Sequence, residues 1–483
     1  MPLSNSLPEL GIDRSDDTPL AVQLAEQIRQ AVLAGRLKPQ ARLPSTRTLA
    51  QELGLSRATV LTAYDQLIAE GYLDGRHGSG THVAAELPEM MLTAGPAGKQ
   101  PVSVSPYRQQ PAARPFRLGV FDSDHFPHAE WGKALGRIWR NPSGSLIASD
   151  DPFGFFPLRI ALARHLHEWR GMSVDAGQVV ITAGSADAFS LIREALLQPG
   201  DKLWMEEPGY PPARRILGTN GVQVVPVAVD AGGLDVAAAR ENAPDARSAF
   251  VTPARHHPTG VTMPLARRLD LIAWAREKDA FIIEDDYDSE HRYVGQPLPA
   301  LMSLDADRIL YIGSFSKMFS PLLRLGFLIV PLHLADKFKR LRETLLPPPS
   351  LIAQPPLAQF IETGTFAQHI RRMRRLNAAR RQKLIAALSP GDPALFTIEA
   401  PPAGLSLLLA LPEHQSDVTL STMLERSGIE VQPLSPFYTI LPLRQGLILG
   451  FSGFDESELE KSAAAMTKII EQFRIDPIAL GIS

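Results

Sequence analysis

The sequence predicts a multidomain α/β protein, with a small N-terminal helix-turn-helix and β wing ahead of a large domain built on a mainly parallel sheet. Three observations carry that reading. The chain has 483 residues, more than one hydrophobic core ordinarily organises. Short amphipathic helical stretches fill residues 18–83 and close in a Gly-rich run. From about residue 116, apolar runs of strand length alternate with helical stretches, as in a parallel sheet flanked by helices. Between them, residues 84–115 carry Pro88, Pro96, Pro101, Pro106, Pro111 and Pro115 among Gly, Ser and Gln. That composition buries too little apolar surface to fold alone and predicts a linker.

Composition narrows the class. Hydrophobic residues are 45% and charged residues 21% of the chain, as in ordinary globular proteins. No apolar run reaches the roughly 20 residues that span a bilayer, and the start, MPLSNSLPELGIDRSDD, lacks the basic-then-apolar form of a secretory signal. There are no cysteines. That removes disulfides, thiolate metal sites and cysteine nucleophiles and fits a reducing cytoplasm; no metal site is expected. The net charge of −3 argues against a chain that coats nucleic acid along its length, and residues 18–82 hold seven Lys/Arg against five Asp/Glu, a local excess of two. Placement must therefore do more than amount in any phosphate binding by this segment.

Within 18–83, Leu20, Leu24, Ile28 and Val32 recur at a four-residue step and predict a first helix that ends at Ala34-Gly35. LPSTRTLAQELGL predicts a second, N-capped by Ser45 with Leu49, Ala50 and Leu53 inward, and Gly54 at its turn. SRATVLTAYDQLIAEGYL predicts a third, N-capped by Ser56 and burying Val60, Tyr64, Leu67 and Ile68. Two short helices about a tight glycine turn make a helix-turn-helix, and DGRHGSGTHV supplies the turn glycines of a small β wing. In such units the first turn of the second helix enters the major groove. Ser56, Arg57 and Thr59 occupy that turn, with Arg47 placed for backbone phosphate and His77, Gly78 and Ser79 at the wing tip for the minor groove. Taken singly each is an ordinary surface or capping residue; in this order and spacing they point to double-stranded DNA.

Residues 19–83 strongly resemble the DNA-binding domain of the GntR superfamily, with LPS-x-R, SR-x-TV, EGYL and GSGT in order. The resemblance implies Arg47, Ser56, Arg57, Thr59 and Gly78 as DNA contacts, and a bacterial cytoplasmic protein that is nucleoid-associated when bound to its operator.

In the larger zone the predicted strands are QVVIT, KLWME, VQVVPV, SAFVT, AFIIED, RILYIG and LGFLIV, and open α/β folds place ligands at strand ends. RILYIGSFSKMFSPLLRLGF puts Lys317 just after a strand, among Ser314 and Ser316, where a lysine suits a Schiff base to an aldehyde. Alone, such a lysine is a surface residue of a Ser-rich loop. It is accompanied, however, by Arg324, a planar fork for phosphate. AFII ends in Glu284-Asp285-Asp286-Tyr287, where a carboxylate can face a protonated pyridine nitrogen and a phenol can face a ring oxygen. VVITAGSADAFSLI offers the backbone amides of Gly184, Ser185 and Ala186 at a helix start to a phosphate. Tyr210 follows another strand and can stack on a flat ring.

These pieces resemble fold type I pyridoxal phosphate (PLP) enzymes of the aspartate aminotransferase class from about residue 116 to the C-terminus. Joined to the GntR-like head, they resemble the MocR subgroup, of which IIEDDYDSE, GSFSKMFSPLLRLGF and HIRRMRRLNAARRQKL are characteristic. The resemblance implies that Lys317 forms the internal aldimine, Asp285 faces the pyridine nitrogen, and Tyr287 the 3′ oxygen. It also implies Arg324 and the Ser185 region for the phosphate, Tyr210 as the stacking ring, and a homodimer.

Two departures stand out. Where aminotransferases carry an asparagine in an NP-x-G turn, this chain reads RHHPTG, leaving His256 or His257 as ring partner or as plain turn residues. The strand that usually brings a carboxylate-binding arginine reads GLILGFS; Arg444, just before it, is the candidate substitute for an effector, or an exposed loop charge. The Arg371–Arg381 run predicts a solvated or ion-paired helix face, with a second DNA surface as the lesser alternative. The leading expectation is a PLP-dependent transcription regulator that senses a small amine or amino acid through an external aldimine. The alternative is an active aminotransferase (transaminase) that also binds DNA, and a third class is a DNA-binding protein whose body is only a dimerisation scaffold. The expected domains are 18–83 (winged helix-turn-helix), 84–115 (linker) and 116–483 (PLP-binding effector and dimerisation domain).

Overall fold

A computed structural model of the chain describes residues 10–16, 18–76, 80–87, 112–148, 150–296, 299–440 and 442–475. The chain divides into two compact units, residues 1–110 and 111–483.

In the first unit, α1 (Leu20–Leu33), α2 (Thr46–Leu53) and α3 (Arg57–Ala69) precede a hairpin of β1 (Leu73–Arg76) and β2 (Gly80–Val83). Leu24, Ile28 and Val32 form the buried stripe of α1, packed with Leu49 and Ala50 of α2 and Val60, Ala63, Tyr64 and Leu67 of α3. Ile68 departs from expectation and is 39% exposed. Helical steps of about 100° put positions 60, 63, 64 and 67 on one face, and 68 at its flank. The Tyr64 hydroxyl donates to the Pro44 carbonyl at 3.0 Å, tying α3 to the start of α2. The wing has a third partner that the sequence did not suggest: Leu43 N donates to Thr81 O, and Val83 N to Ala41 O.

The second unit holds an eight-stranded sheet in the order β3-β10-β9-β8-β7-β4-β5-β6. Its strands are β3 (Val179–Thr182), β4 (Lys202–Glu207), β5 (Gln223–Asp230), β6 (Gly233–Leu234), β7 (Ser248–Val251), β8 (Phe281–Asp286), β9 (Ile309–Ser314) and β10 (Gly326–Ile329). All seven runs read as strands form strands. The pairs β5-β4-β7-β8-β9 are parallel, whereas β10 runs antiparallel to both β9 and β3 and β6 is antiparallel to β5. The inner strands are buried on both faces, so β3, β7 and β10 and the middles of β4, β8 and β9 are apolar rather than alternating, whereas β5 toward the edge is partly exposed. Ile181, Trp204, Ile282 and Tyr311 pack into one layer, and Val180, Leu203, Ile283 and Leu310 into the other. A four-stranded antiparallel sheet, β11 (Thr397–Glu399), β12 (Ser406–Leu411), β13 (Gln432–Pro433) and β14 (Gln445–Gly450), in the order β11-β12-β14-β13, builds a second core with the C-terminal helix Glu456–Ile475.

The two ends of the expected linker pack on their own units. Ala84 N donates to Tyr72 O in the first, and in the second Pro115 O accepts from Glu430 N. Pro88 to Pro111 lie outside the described residues.

Candidate functional site

Because β4, β7, β8 and β9 run parallel, their C-terminal ends open on one edge of the sheet, and a cavity of about 610 Å³ lies there. Its lining brings together Tyr210 after β4, Thr252 and His257 after β7, Asp285 and Tyr287 at the end of β8, and Ser314, Ser316 and Lys317 at the end of β9. Gly184, Ser185, Ala186 and Arg324 complete the expected set.

The three acids of β8 separate by the two-residue period of a strand. Glu284 accepts from the backbone N–H groups of Leu301 and Met302 at 2.9 and 3.0 Å, capping a 3₁₀ turn. Asp286 pairs with Arg170 at 2.5 Å and accepts from the Tyr311 and Ser289 hydroxyls. Asp285 alone of the three faces the cavity. No hydrogen bond or ion pair to it exists among the described residues, and burial, followed by the charges of Asp286, Glu206 and Asp288, pushes its carboxyl up to about 8. A buried carboxyl in that state lacks a cationic partner.

Lys317 stands in the one-turn helix Phe315–Met318, whose N-cap Ser314 accepts from Ser316 N. Its side chain faces open cavity, yet protein surrounds the amine, and that desolvation holds it below the ordinary lysine value against the opposing pull of Asp288. Gly119 makes room for it: with φ at +72°, a Cβ there would lie 2.3 Å from the Lys317 amine. At the neighbouring pole, Gly184 (φ +99°) precedes the helix Ser185–Leu196, whose first backbone N–H groups are free of a side-chain cap. Asp187 in that first turn is occupied by Arg342 at 2.7 Å. Gly326 links Thr182 of β3 to Ser314 of β9 by register, and Arg324, exposed and in the left-handed region at φ +52°, completes this end.

His257 lines the cavity and His256 does not. His256 is consumed by its turn, Nε2 donating to Pro208 O at 3.0 Å and Nδ1 accepting from Thr259 Oγ1 at 2.7 Å. The His257 ring is packed edge-to-face by Tyr210, Tyr287 and Phe437, at 5.3, 5.5 and 5.3 Å. Burial, with Arg255 nearby, lowers it to about 3, so the imidazole is neutral. Tyr210 is raised by burial and the nearby Asp285. The Tyr287 hydroxyl accepts from Arg255 Nη1 at 2.7 Å, which leaves its own proton to donate.

Arg444, expected to meet the effector, instead pairs from just before β14 with Glu399 of β11 and is absent from the cavity lining. Sequence reasoning missed Gly119, Asp288, Ser406 and above all Arg255, a buried guanidinium in the cavity wall. Arg255 lies two residues from His257 in the RHHPTG turn already marked as unusual, which was the available signal. The basic run is also largely accounted for. Arg380 pairs with Asp122 at 2.6 Å, and Arg374 and Arg381 donate to the carbonyls of Glu290, Ala400 and Pro401. Arg372 donates to His125 O.

In the first unit, the Ser56 hydroxyl accepts from Thr59 N at 3.0 Å and shares a 2.7 Å hydrogen bond with Thr59 Oγ1. Ser45 and Thr48 repeat the arrangement at α2. Gly54 between the helices is left-handed, φ +62°. Arg57 and Arg47 are exposed on the first turns of α3 and α2. His77, Gly78 and Ser79 lie outside the described residues.

The cavity residues fit pyridoxal phosphate. An unpartnered buried acid suits a pyridinium, a desolvated amine suits an aldehyde, and a free helix start beside a guanidinium suits a phosphate. Residues 118–466 match the family described as Aminotransferase class I and II, and residues 20–83 match Bacterial regulatory proteins, gntR family. The chain is 38% identical over 464 residues to the probable rhizopine catabolism regulatory protein MocR of Rhizobium meliloti, covering 94% of each. It is 34% identical to the HTH-type pyridoxine biosynthesis transcriptional regulator PdxR of Corynebacterium glutamicum, covering 93% of this chain and 96% of the relative. Among solved structures, a kynurenine aminotransferase of Pyrococcus horikoshii in complex with PMP aligns at a TM-score of 0.68 and 25% identity. That alignment covers 74% of this chain and 90% of the enzyme.

Proposed function

This chain belongs to the MocR subgroup of gntR-type regulators, and on that premise we propose that it is a PLP-dependent transcription regulator that senses a small amine or amino acid. Residues 18–83 read the operator, 84–115 connect, and 116–483 bind the cofactor and effector and dimerise. The observation that carries the reading is Asp285, a buried carboxyl facing a cavity with no partner among the described residues, beside a desolvated Lys317.

When bound, PLP supplies an aldehyde that condenses with one primary amine and can be passed to another. The chain's residues do the rest. Lys317 would offer the aldehyde an amine held toward its neutral form, and the same residue would be the one released to an effector's amine. Asp285 would hold a proton or a pyridinium at the ring nitrogen, Tyr287 would donate to the ring oxygen, and the neutral His257 and Tyr210 would wall the ring. Arg324 and the backbone N–H groups of Ser185 and Ala186 would hold the phosphate, with the Ser314 and Ser316 hydroxyls of the same cavity wall. On DNA, Arg57 reads a base edge from the start of α3, Ser56 and Thr59 fix that turn, and Arg47 holds backbone phosphate. His77, Gly78 and Ser79, proposed for the minor groove, lie outside the described residues. Release of Lys317 regulates only if it is worth more in one arrangement of the two units than in another. A homodimer is what the resemblance of the body to aminotransferases implies.

The test is a paired titration of PLP-loaded protein with a panel of amines and amino acids, reading the visible absorbance and the occupancy of a promoter fragment from the neighbouring genes. The effector is expected to move both. A compound that changes the spectrum fully while leaving DNA affinity unchanged counts against sensing. Sustained turnover of an amino acid with a keto acid would favour the aminotransferase reading instead.

A further inference from the structure

We infer that Arg255 is the anchor for a carboxylate on the effector, which makes the ligand an amino acid rather than a simple amine. The inference rests on PLP filling the pole of the cavity around Arg324.

The cavity has three cations in its wall, Lys317, Arg324 and Arg255. Lys317 is the reacting amine. Arg324 stands with Ser314, Ser316 and the start of the helix Ser185–Leu196, a constellation of hydroxyls and N–H groups suited to phosphate. Arg255 is held by a different set of residues, Tyr287, Asp288, Gly404 and Ser406. It follows β7, its Nη2 donates to Ser406 at the first position of β12 (Oγ 2.8 Å, O 3.2 Å), and its side chain packs on Gly404. A Cβ at Gly404, where φ is +91°, would lie 2.1 Å from Arg255 Nε, so glycine is what admits the guanidinium here.

This guanidinium is not saturated by charge. Nη1 donates to Tyr287 Oη at 2.7 Å and to a single oxygen of Asp288 at 3.0 Å. Nη2 meets only a serine hydroxyl and a backbone carbonyl, and Nε is buried without a hydrogen-bond partner. A guanidinium accommodates carboxylates in two-pronged geometry, and an incoming carboxylate is a stronger acceptor for Nη2 than the Ser406 hydroxyl it would displace. Elsewhere the second sheet offers no rival. Ile448 of β14 is buried with Leu408, Leu434 and Phe437, and Arg444 is held by Glu399. Asp288 is then the internal counter-ion that competes with the ligand's carboxylate.

Two small probes separate the carboxylate from the amine chemistry: aminooxyacetate, which carries one, and methoxyamine, which does not. Each displaces the Lys317 amine at the same cofactor carbon, with no oxidant or reductant needed, and bleaches the visible chromophore. Rates on PLP-loaded protein, divided by the rates on free PLP, give a protein-imposed preference. Wild type is expected to favour aminooxyacetate by about tenfold or more. Arg255→Gln should bring the ratio near unity, and Asp288→Asn should raise it above wild type. A wild-type ratio of one, or a ratio unchanged in Arg255→Gln, overturns the assignment. Should Arg255→Gln fail to fold, an unchanged or lower ratio in Asp288→Asn overturns it equally. If wild type forms no chromophore with PLP, the failure belongs to the cofactor reading.

Discussion

The two units keep their functional groups in opposite states. In the head, the described side chains assigned to DNA lie at the surface, Arg47 and Arg57 exposed and Ser56 hydrogen-bonded to Thr59. In the body, Asp285 is buried and short of a partner, its carboxyl pushed up to about 8, and the Lys317 amine, open to the cavity, is pulled down by desolvation. A surface that meets a polyanion in water can be complete beforehand and needs only placement. A site for a small charged cofactor holds an electrostatic deficit that the cofactor fills. Substitutions in the body should therefore show in cofactor-dependent readouts, and those in the head as modest, additive losses of affinity or stability.

The largest expected effect is at Lys317. Lys317→Ala should abolish the visible chromophore on PLP addition while circular dichroism and basal operator binding stay close to wild type. Loss of the head's DNA binding in that variant would break the separation of the two units.

The next effect follows from Asp285. Its carboxyl is raised in the folded protein from the usual 3.8 to about 8, so between those values the cofactor-free folded state binds more protons than the unfolded chain. Its contribution to stability is complete below about pH 4 and is lost as pH rises toward about 8. Asp285→Asn has no such slope, so cofactor-free variant should gain on wild type across that window, by up to a few kcal/mol. PLP should reverse the order, since a pyridinium restores the acid's partner. Denaturant titrations at several pH values, with and without PLP, measure both; parallel pH profiles for the two cofactor-free proteins would remove the deficit.

In the head the effects are smaller. Arg57→Ala should weaken specific binding by about 1–3 kcal/mol and relax one base position, whereas Arg47→Ala should weaken binding to all sequences and lower the salt slope by about one. Fluorescence anisotropy against operator and scrambled duplexes at several salt concentrations distinguishes them. Smallest is Ser56→Ala, which removes the cap of α3 and should cost about 1 kcal/mol of head stability in thermal unfolding.

The same contrast explains what was legible in the sequence. The inner strands were readable because burial on both faces makes them apolar, and the head because N-caps, glycine turns and apolar periodicity are local signals. Asp285, Lys317, Arg324 and the Gly184 turn were readable because each sits at a strand or helix end with a distinctive neighbour. Arg255 and Asp288 were not, because their roles come from pairing across a turn and a strand end 33 residues apart. Arg444 was misplaced for the converse reason: proximity in sequence to β14 said nothing of Glu399 on β11, two strands away in the sheet. Ile68 was misjudged by one helical step, and what separates Glu284 and Asp286 from Asp285 is visible only in the fold, where they meet Leu301, Met302 and Arg170.

The central claim is that Lys317 holds PLP. Wild-type protein loaded with PLP, reduced with borohydride and digested should carry the phosphopyridoxyl mass on the peptide containing Lys317. The mass on another lysine, or none on a protein that remains folded, would contradict it.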